Sequence, residues 1–242
     1  MLSRGLSAGL AFQRGLSIVE LMVGIAIGLI IVAAASLLMS GQLGENRRLL
    51  AETQLQQDLR AASDIITREL RRTGADTESR SLQTLWYPGR TTAVAANSYA
   101  EPLTPAAGAT ASEVGFTYNP GGDEDATFGF KLEGRAIKTL LLAGGWQELT
   151  DPRVMTVSSF TIKREPDPVR PNEDIEIVVP CAKRCPVTND AACWPKLTIR
   201  HLTVAIKASA ATVPGIDRSI QSKVRLRNDF LRFFAPGQVC PT

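Results

Sequence analysis

The sequence predicts an α+β protein in which one long N-terminal α-helix packs on an antiparallel β-sheet. Three observations carry this. Leu21 to Met39 is an unbroken run of apolar and small residues. Leu55, Leu59, Ala62, Ile66 and Leu70 then recur at spacings of 4, 3, 4 and 4, which is one face of a helix. Past residue 112 the pattern changes to short alternating runs punctuated by Gly, Pro and acidic turns.

The first run has 19 residues. At 1.5 Å per residue such a helix spans roughly 29 Å, close to the ~30 Å hydrocarbon core of a bilayer. Arg4 and Arg14 precede it, and Glu20 at its mouth is the sole acid before Glu45. This bias keeps the short N-terminus cytoplasmic and sends the rest across the membrane. Three readings compete. A cleaved secretory signal needs a shorter apolar run, with its small-residue site after it, yet Ala33-Ala34-Ala35 lies inside. A plain anchor explains the length and leaves Glu20 unexplained. The third reading puts a processing site between Gly15 and Leu16, making Glu20 the fifth residue of the mature chain.

That third pattern resembles the class III signal of type IV prepilins and pseudopilins. The matching residues are the basic leader ending in Arg14-Gly15, then Leu16-Ser17-Ile18-Val19-Glu20 and the apolar helix. It departs at Leu16, where the family usually has Phe. The resemblance implies that prepilin peptidase cuts after Gly15 and methylates the new amine of Leu16. It further implies that Glu20 pairs with the N-terminal ammonium of a neighbouring subunit. A carboxylate in lipid is costly alone and tolerable when paired, so Glu20 would key subunit register on assembly. The competing reading has Glu20 reach the headgroups.

The domain expectation is a leader peptide at 1–15, a membrane or filament-core half-helix at 16–40, an amphipathic half-helix at 41–74 and a β-rich head at 75–242. Gly41 and Gly44 mark a weak point, at about 1 kcal/mol each relative to Ala. The helix is expected to continue to about Thr73. Asp64 and Arg68 would form an i,i+4 pair, Arg71 and Arg72 would suit the negative helix end, and Gly74 would cap it. Residues 75–112 read as loop, with a short strand near Leu82–Trp86.

Strands are expected at Val114–Asn119, at a hairpin turning about Gly134, at Val154–Glu165, in Ile175–Pro180, at Leu197–Ser209 and at Arg218–Asp229. In the third of these Val154, Thr156, Ser158, Phe160 and Ile162 share a face, and Pro166, Pro168 and Pro171 end it. The prediction is one meander of four to six antiparallel strands.

Four cysteines, Cys181, Cys185, Cys193 and Cys240, lie on the side expected to be outside the cytoplasm. An even count there favours two disulfides, and spacing leaves three connectivities open. The reading leans to one bridge within 181–193 and one tying that loop to Cys240. The spacing lacks the paired Cys-x2-Cys of zinc ribbons. No cofactor or metal is expected. Asp123, Glu124 and Asp125 could be tested for calcium, but lack the spacing of an EF-hand loop and read as a solvated turn.

Losing Arg4 and Arg14 with the leader takes the formal charge from +3 to +1, which does not suggest nucleic-acid binding by bulk charge. Lys223, Arg225 and Arg227 alternate in sequence, flanked by Arg218 and Arg232. They read as an exposed strand face whose charges discourage edge pairing, the rival being an acidic or nucleic-acid partner. The single histidine, His201, receives no role. No catalytic set, phosphate loop or dinucleotide fingerprint appears, so an enzyme is not expected.

A strand followed by Gly144-Gly145-Trp146, then Leu149-Thr150-Asp151-Pro152, and a late strand ending Val224-Arg225-Leu226-Arg227-Asn228, are similar to PilW-like minor pilins and J-class minor pseudopilins. The resemblance implies a minor pilin of a type IV pilus, priming assembly or sitting at the tip. Its partners would be prepilin peptidase, other minor pilins, the major pilin and the assembly platform. It would be stored in the inner membrane with its head in the periplasm and reach the cell surface in the filament. One rival is a J-class pseudopilin of type II secretion. The other is a surface module for adhesion or DNA uptake.

Overall fold

A computed structural model of the chain describes residues 15, 17–75, 99, 103–121, 127–141, 144–185 and 193–232. Helix α1 runs over Ile18–Leu70, 53 residues. By contacts the chain divides into two compact units, Met1–Leu49 and Leu50–Thr242.

In the first unit the helix passes Gly24, Gly28, Gly41 and Gly44 without a break. Good helix formers elsewhere in the run, among them Leu21, Met22, Ala26, Leu29 and Ala33 to Ala35, offset the deficit of about 1 kcal/mol at each glycine. Its large apolar side chains are exposed, from Ile18 and Leu21 to Leu38 and Met39. The hydroxyls of Ser36 and Ser40 donate back to the carbonyls of Val32 and Ser36, each at 2.8 Å. Polar groups satisfied this way are compatible with an apolar surround. By length and composition α1 can cross a bilayer, and it is the single such helix among the described residues.

In the second unit the stripe Leu55, Leu59, Ala62, Ile66 and Leu70 is buried, as its spacing predicts. Gly74 takes a left-handed φ of 73° and ends the helix, its N–H donating to the Thr117 carbonyl at 2.9 Å. Asn228 Nδ2 donates to the Thr73 carbonyl at 2.9 Å, tying the helix end to the late strands. The expected Asp64–Arg68 pair is not the one formed. Arg68 turns to the adjacent Glu69 instead, at 3.6 Å.

Among the described residues eleven strands follow: β1 Thr110–Ala111, β2 Glu113–Thr117, β3 Thr127–Glu133, β4 Ala136–Leu141, β5 Gly145–Glu148, β6 Met155–Glu165, β7 Ile175–Val178, β8 Lys196–Ile199, β9 His201–Ala210, β10 Asp217–Arg225 and β11 Phe230–Arg232. All pairs are antiparallel, in three sheets ordered β1-β6-β9-β10, β2-β3-β4-β5 and β11-β8-β7. The expected single meander is therefore corrected. Only β2 to β5 form one, and β7 with β8 is an excursion between the paired β6 and β9.

The β3–β4 hairpin turns on Gly134 and Arg135, both at positive φ, as a two-residue loop that twists with its strands. In β6 the register shifts between Val157 and Ser159. Met155 and Val157 point inward before this bulge, and Phe160, Ile162 and Arg164 after it. Val154, Thr156 and Ser158 thus do not share the inward face of Phe160 and Ile162, because one extra residue inverts the alternation.

The expected strand Leu197–Ser209 breaks at Arg200, which is only 2% exposed. Its carbonyl accepts from Leu226 N–H at 3.1 Å, beyond the end of β10. That contact also ends the expected strand Arg218–Asp229 at Arg225. The core joins the helix stripe to Phe160, Ile162, Val204, Ile206 and Val224 of the first sheet and to Val114, Phe116, Phe130 and Ile137 of the second. The possible strand near Leu82–Trp86 lies outside the described residues.

Candidate processing and assembly site

The N-terminal segment combines a glycine, a helix start and an isolated acid within six residues, Gly15 to Glu20. Ser17 precedes α1, and its Oγ accepts from Val19 N–H at 3.3 Å, while its carbonyl accepts from Leu21 N–H at 3.1 Å. That is N-capping: the hydroxyl satisfies a donor the helix cannot. Glu20 falls in the first turn, where the positive end of the helix favours a carboxylate. Ser17-Ile18-Val19-Glu20 has the spacing of a capping box. This second reason for an acid at position 20 was legible in the sequence and missed there.

Gly15 and Glu20 are both exposed, and a Cβ at Gly15 would meet nothing within 4 Å. Packing in this chain therefore does not demand glycine at 15, so its requirement would come from a partner that reads the segment. Leu16 lies outside the described residues. Among the described residues, the large apolar side chains around Glu20 in sequence are solvent-facing, including Val19 at 66% and Met22 at 66%. Such a surface needs lipid or other apolar helices around it.

The other predicted residues do not gather at this segment. Cys185 and Cys193 are bonded to each other with Cα atoms 5.9 Å apart. Cys181 is buried and also disulfide-bonded. Cys240 and the Asp123, Glu124 and Asp125 turn lie outside the described residues. No group of three or more potential metal-ligating His, Cys, Asp or Glu residues occurs among the described residues.

The basic residues also fall apart as a stripe. Lys223 and Arg225 share the exposed face of β10, whereas Arg227 lies past its end. Arg218 faces the opposite way and pairs with Glu52 of α1. Arg225 pairs with Asp229 at 2.8 Å. Arg232 belongs to β11, in another sheet. His201 opens β9 half-buried, between Arg225 and Glu165 in register. Glu165 is held below the usual carboxylate range, first by the Thr203 hydroxyl and then by Lys163.

Two aromatic positions gained roles that the sequence did not suggest. Trp146 lies under Lys131, whose Nζ is 4.4 Å from the ring centroid. Tyr118 stacks on Phe128 with centroids 4.1 Å apart, and the Arg72 guanidinium lies over the Tyr118 ring, 4.4 Å from its centroid.

Residues 48–226 match the family described as Prepilin peptidase-dependent protein B. No curated protein and no solved structure matches the chain.

Proposed function

The chain belongs to the family of prepilin peptidase-dependent protein B, a pilin-like family associated with type IV pili, and from that premise we propose that it is a PilW-like minor pilin. The observation that carries the reading is a coincidence of two separate stretches. The family match begins at residue 48, whereas the processing signal and apolar run end at Met39. Each points to the same machinery without borrowing residues from the other.

The proposed sequence of events starts with insertion of α1 in the inner membrane, its N-terminus cytoplasmic. Prepilin peptidase cuts between Gly15 and Leu16 and methylates the Leu16 amine. Glu20 then meets the amine of an adjoining pilin, which relieves the cost of a carboxylate among apolar helices. The exposed apolar surface of residues 18–39 becomes the contact with other minor pilins and the major pilin. The work proposed is mechanical: priming assembly, or capping the filament tip. No catalysis is assigned to it.

The test is the mass and N-terminal residue of the protein from its native host. The expected chain begins at Leu16 and is heavier by one methyl group than the bare peptide. Gly15→Ala should block processing. Glu20→Ala should be processed yet fail to enter filaments. A native chain that retains Met1, or is trimmed beyond Met39, overturns the reading. Normal filament entry by Glu20→Ala overturns the role given to that residue.

A further inference from the structure

The sheet β11-β8-β7 carries a charge arrangement that folding alone disfavours. Arg232 and Lys196 are direct cross-strand partners, and like charges so placed destabilise a sheet. Glu176 sits diagonally across from Lys196, whose direct partner on β7 is Val178. The Glu176 carboxylate lies 2.9 Å from Lys196 Nζ, 3.4 Å from Arg170 Nη1 and 3.8 Å from Arg232 Nη1. One carboxylate thus serves three cations. Arg170 also engages Asp167 and Glu173. Among the described residues, Lys196 and Arg232 have no other carboxylate within 4.0 Å.

Arg170, Glu173, Glu176, Lys196 and Arg232 line a cleft of about 1080 Å³, just above the ~300–1,000 Å³ typical of small-ligand pockets. Phe230, two residues before Arg232 on the same strand, adds an aromatic wall. Five basic and three acidic side chains face the space. The Arg232 side chain is 69% exposed while Glu176 is 12% exposed, so the cation at the mouth is far more accessible than its shared partner.

We propose that this cleft binds a carboxylate-bearing peptide segment of another protein, with one acidic side chain entering beside Glu176 between Lys196 and Arg232. The incoming carboxylate adds a second negative charge to a cation pair that otherwise shares Glu176. A single-stranded phosphodiester chain fits worse, because Phe230 is the one aromatic among the described lining residues and gives successive bases no stacking platform. The cleft belongs to the head and does not depend on the N-terminal processing signal.

The test uses the full chain in neutral detergent micelles and a fluorescent hexaglutamate peptide, read by anisotropy. Hexaglutamate should bind and hexaglutamine should not. Arg232→Gln should weaken binding about tenfold, as expected for losing one charge-assisted contact. Glu176→Gln should tighten it severalfold, because it removes the competing internal carboxylate; a purely structural Glu176 would not do this. Lys223→Gln, on β10, should leave binding unchanged. The proposal is overturned if hexaglutamate does not bind or if Arg232→Gln leaves its affinity unchanged. It is equally overturned if Glu176→Gln weakens binding or leaves it unchanged, or if an oligothymidylate displaces the peptide at equal concentration.

Discussion

Arg164 and Asp174 hold each other by two parallel hydrogen bonds, Nε to Oδ1 at 2.8 Å and Nη2 to Oδ2. Their side chains are only 9% and 11% exposed. The remaining guanidinium nitrogen, Nη1, donates to the carbonyls of Leu103 and Pro105 at 3.1 and 3.3 Å. A charge inserted into the inward face of β6 thus closes the loop after that strand and the segment before β1 in one step. Removing one partner would leave the other buried and uncompensated, which typically costs about 3–5 kcal/mol. Asp174→Asn is expected to lower the unfolding free energy of the head by an amount near the bottom of that range, since the amide keeps one hydrogen bond. Urea unfolding followed by circular dichroism checks it, and a loss below about 1 kcal/mol would mean the pair behaves as a surface bridge.

The helix stripe gives a sharper contrast between the two units. Ile66 is 0% exposed, within the shared core, whereas Ile30 is 69% exposed in the apolar half of the same helix. Ile66→Ala should destabilise the head by about 2–5 kcal/mol, the transfer loss plus the cavity left behind. Ile30→Ala should leave the head's urea midpoint unchanged. If Ile30→Ala shifts that midpoint as much as Ile66→Ala, the head is not stabilised by its own core alone.

These two residues also mark how much was legible in the sequence. The stripe from Leu55 to Leu70 is periodic, so burial follows from spacing alone, and the hairpin at Gly134 is announced by its glycine between alternating runs. The bulge in β6 had a fainter signal. Apolar residues fall at Met155 and Val157 and then at Phe160 and Ile162, a change of parity across Ser158-Ser159 that the even-numbered face overlooks and that pairing with β9 makes explicit. Arg164 and Arg200 carry no local signal of their burial. An arginine in a strand reads as solvent-facing, yet here both guanidiniums are buried because tertiary carbonyls or carboxylates receive them. The cleft charges lie on strands joined only in the folded sheet, so their sharing of Glu176 has no local trace. At the N-terminus, by contrast, the proposed processing signal from Gly15 to Glu20 is one linear segment and can be read without the fold.

Tyr118 predicts an alkaline transition. Its hydroxyl donates to Glu69 Oε2 at 3.2 Å. Burial, then the Glu69 charge, pushes its pKa up from the ordinary 10.0 to about 12, against the opposing pull of Arg72. The folded value lies above the unfolded one, so the folded state holds the proton more tightly. Its contribution to stability is complete below pH 10 and is lost as pH rises towards about 12. The urea midpoint of the wild-type head should therefore fall more steeply over that window than that of Tyr118→Phe, which keeps the ring stack and removes the proton. Equal slopes for the two proteins would show that Tyr118 ionises as freely folded as unfolded.

The β3–β4 turn offers a stabilising change. Arg135 has a φ of 66°, the one non-glycine residue at positive φ among the described residues. The left-handed region brings Cβ close to the carbonyl oxygen and costs roughly 1–2 kcal/mol for such a residue. Arg135 is exposed, and its carbonyl already serves the structure by accepting from Val157 N–H at 2.9 Å. That bond is a backbone one and survives substitution. Arg135→Gly relieves the steric strain but gives the unfolded chain more freedom, an opposing effect of roughly 0.5–1 kcal/mol. The balance favours glycine by about 0.5–1 kcal/mol. Arg135→Val, β-branched at the same φ, should move stability the other way by at least as much. Paired urea unfolding curves decide the matter: a hairpin indifferent to both substitutions would have a turn free to leave the left-handed conformation, and the two-residue loop would not be what sets the β3–β4 register.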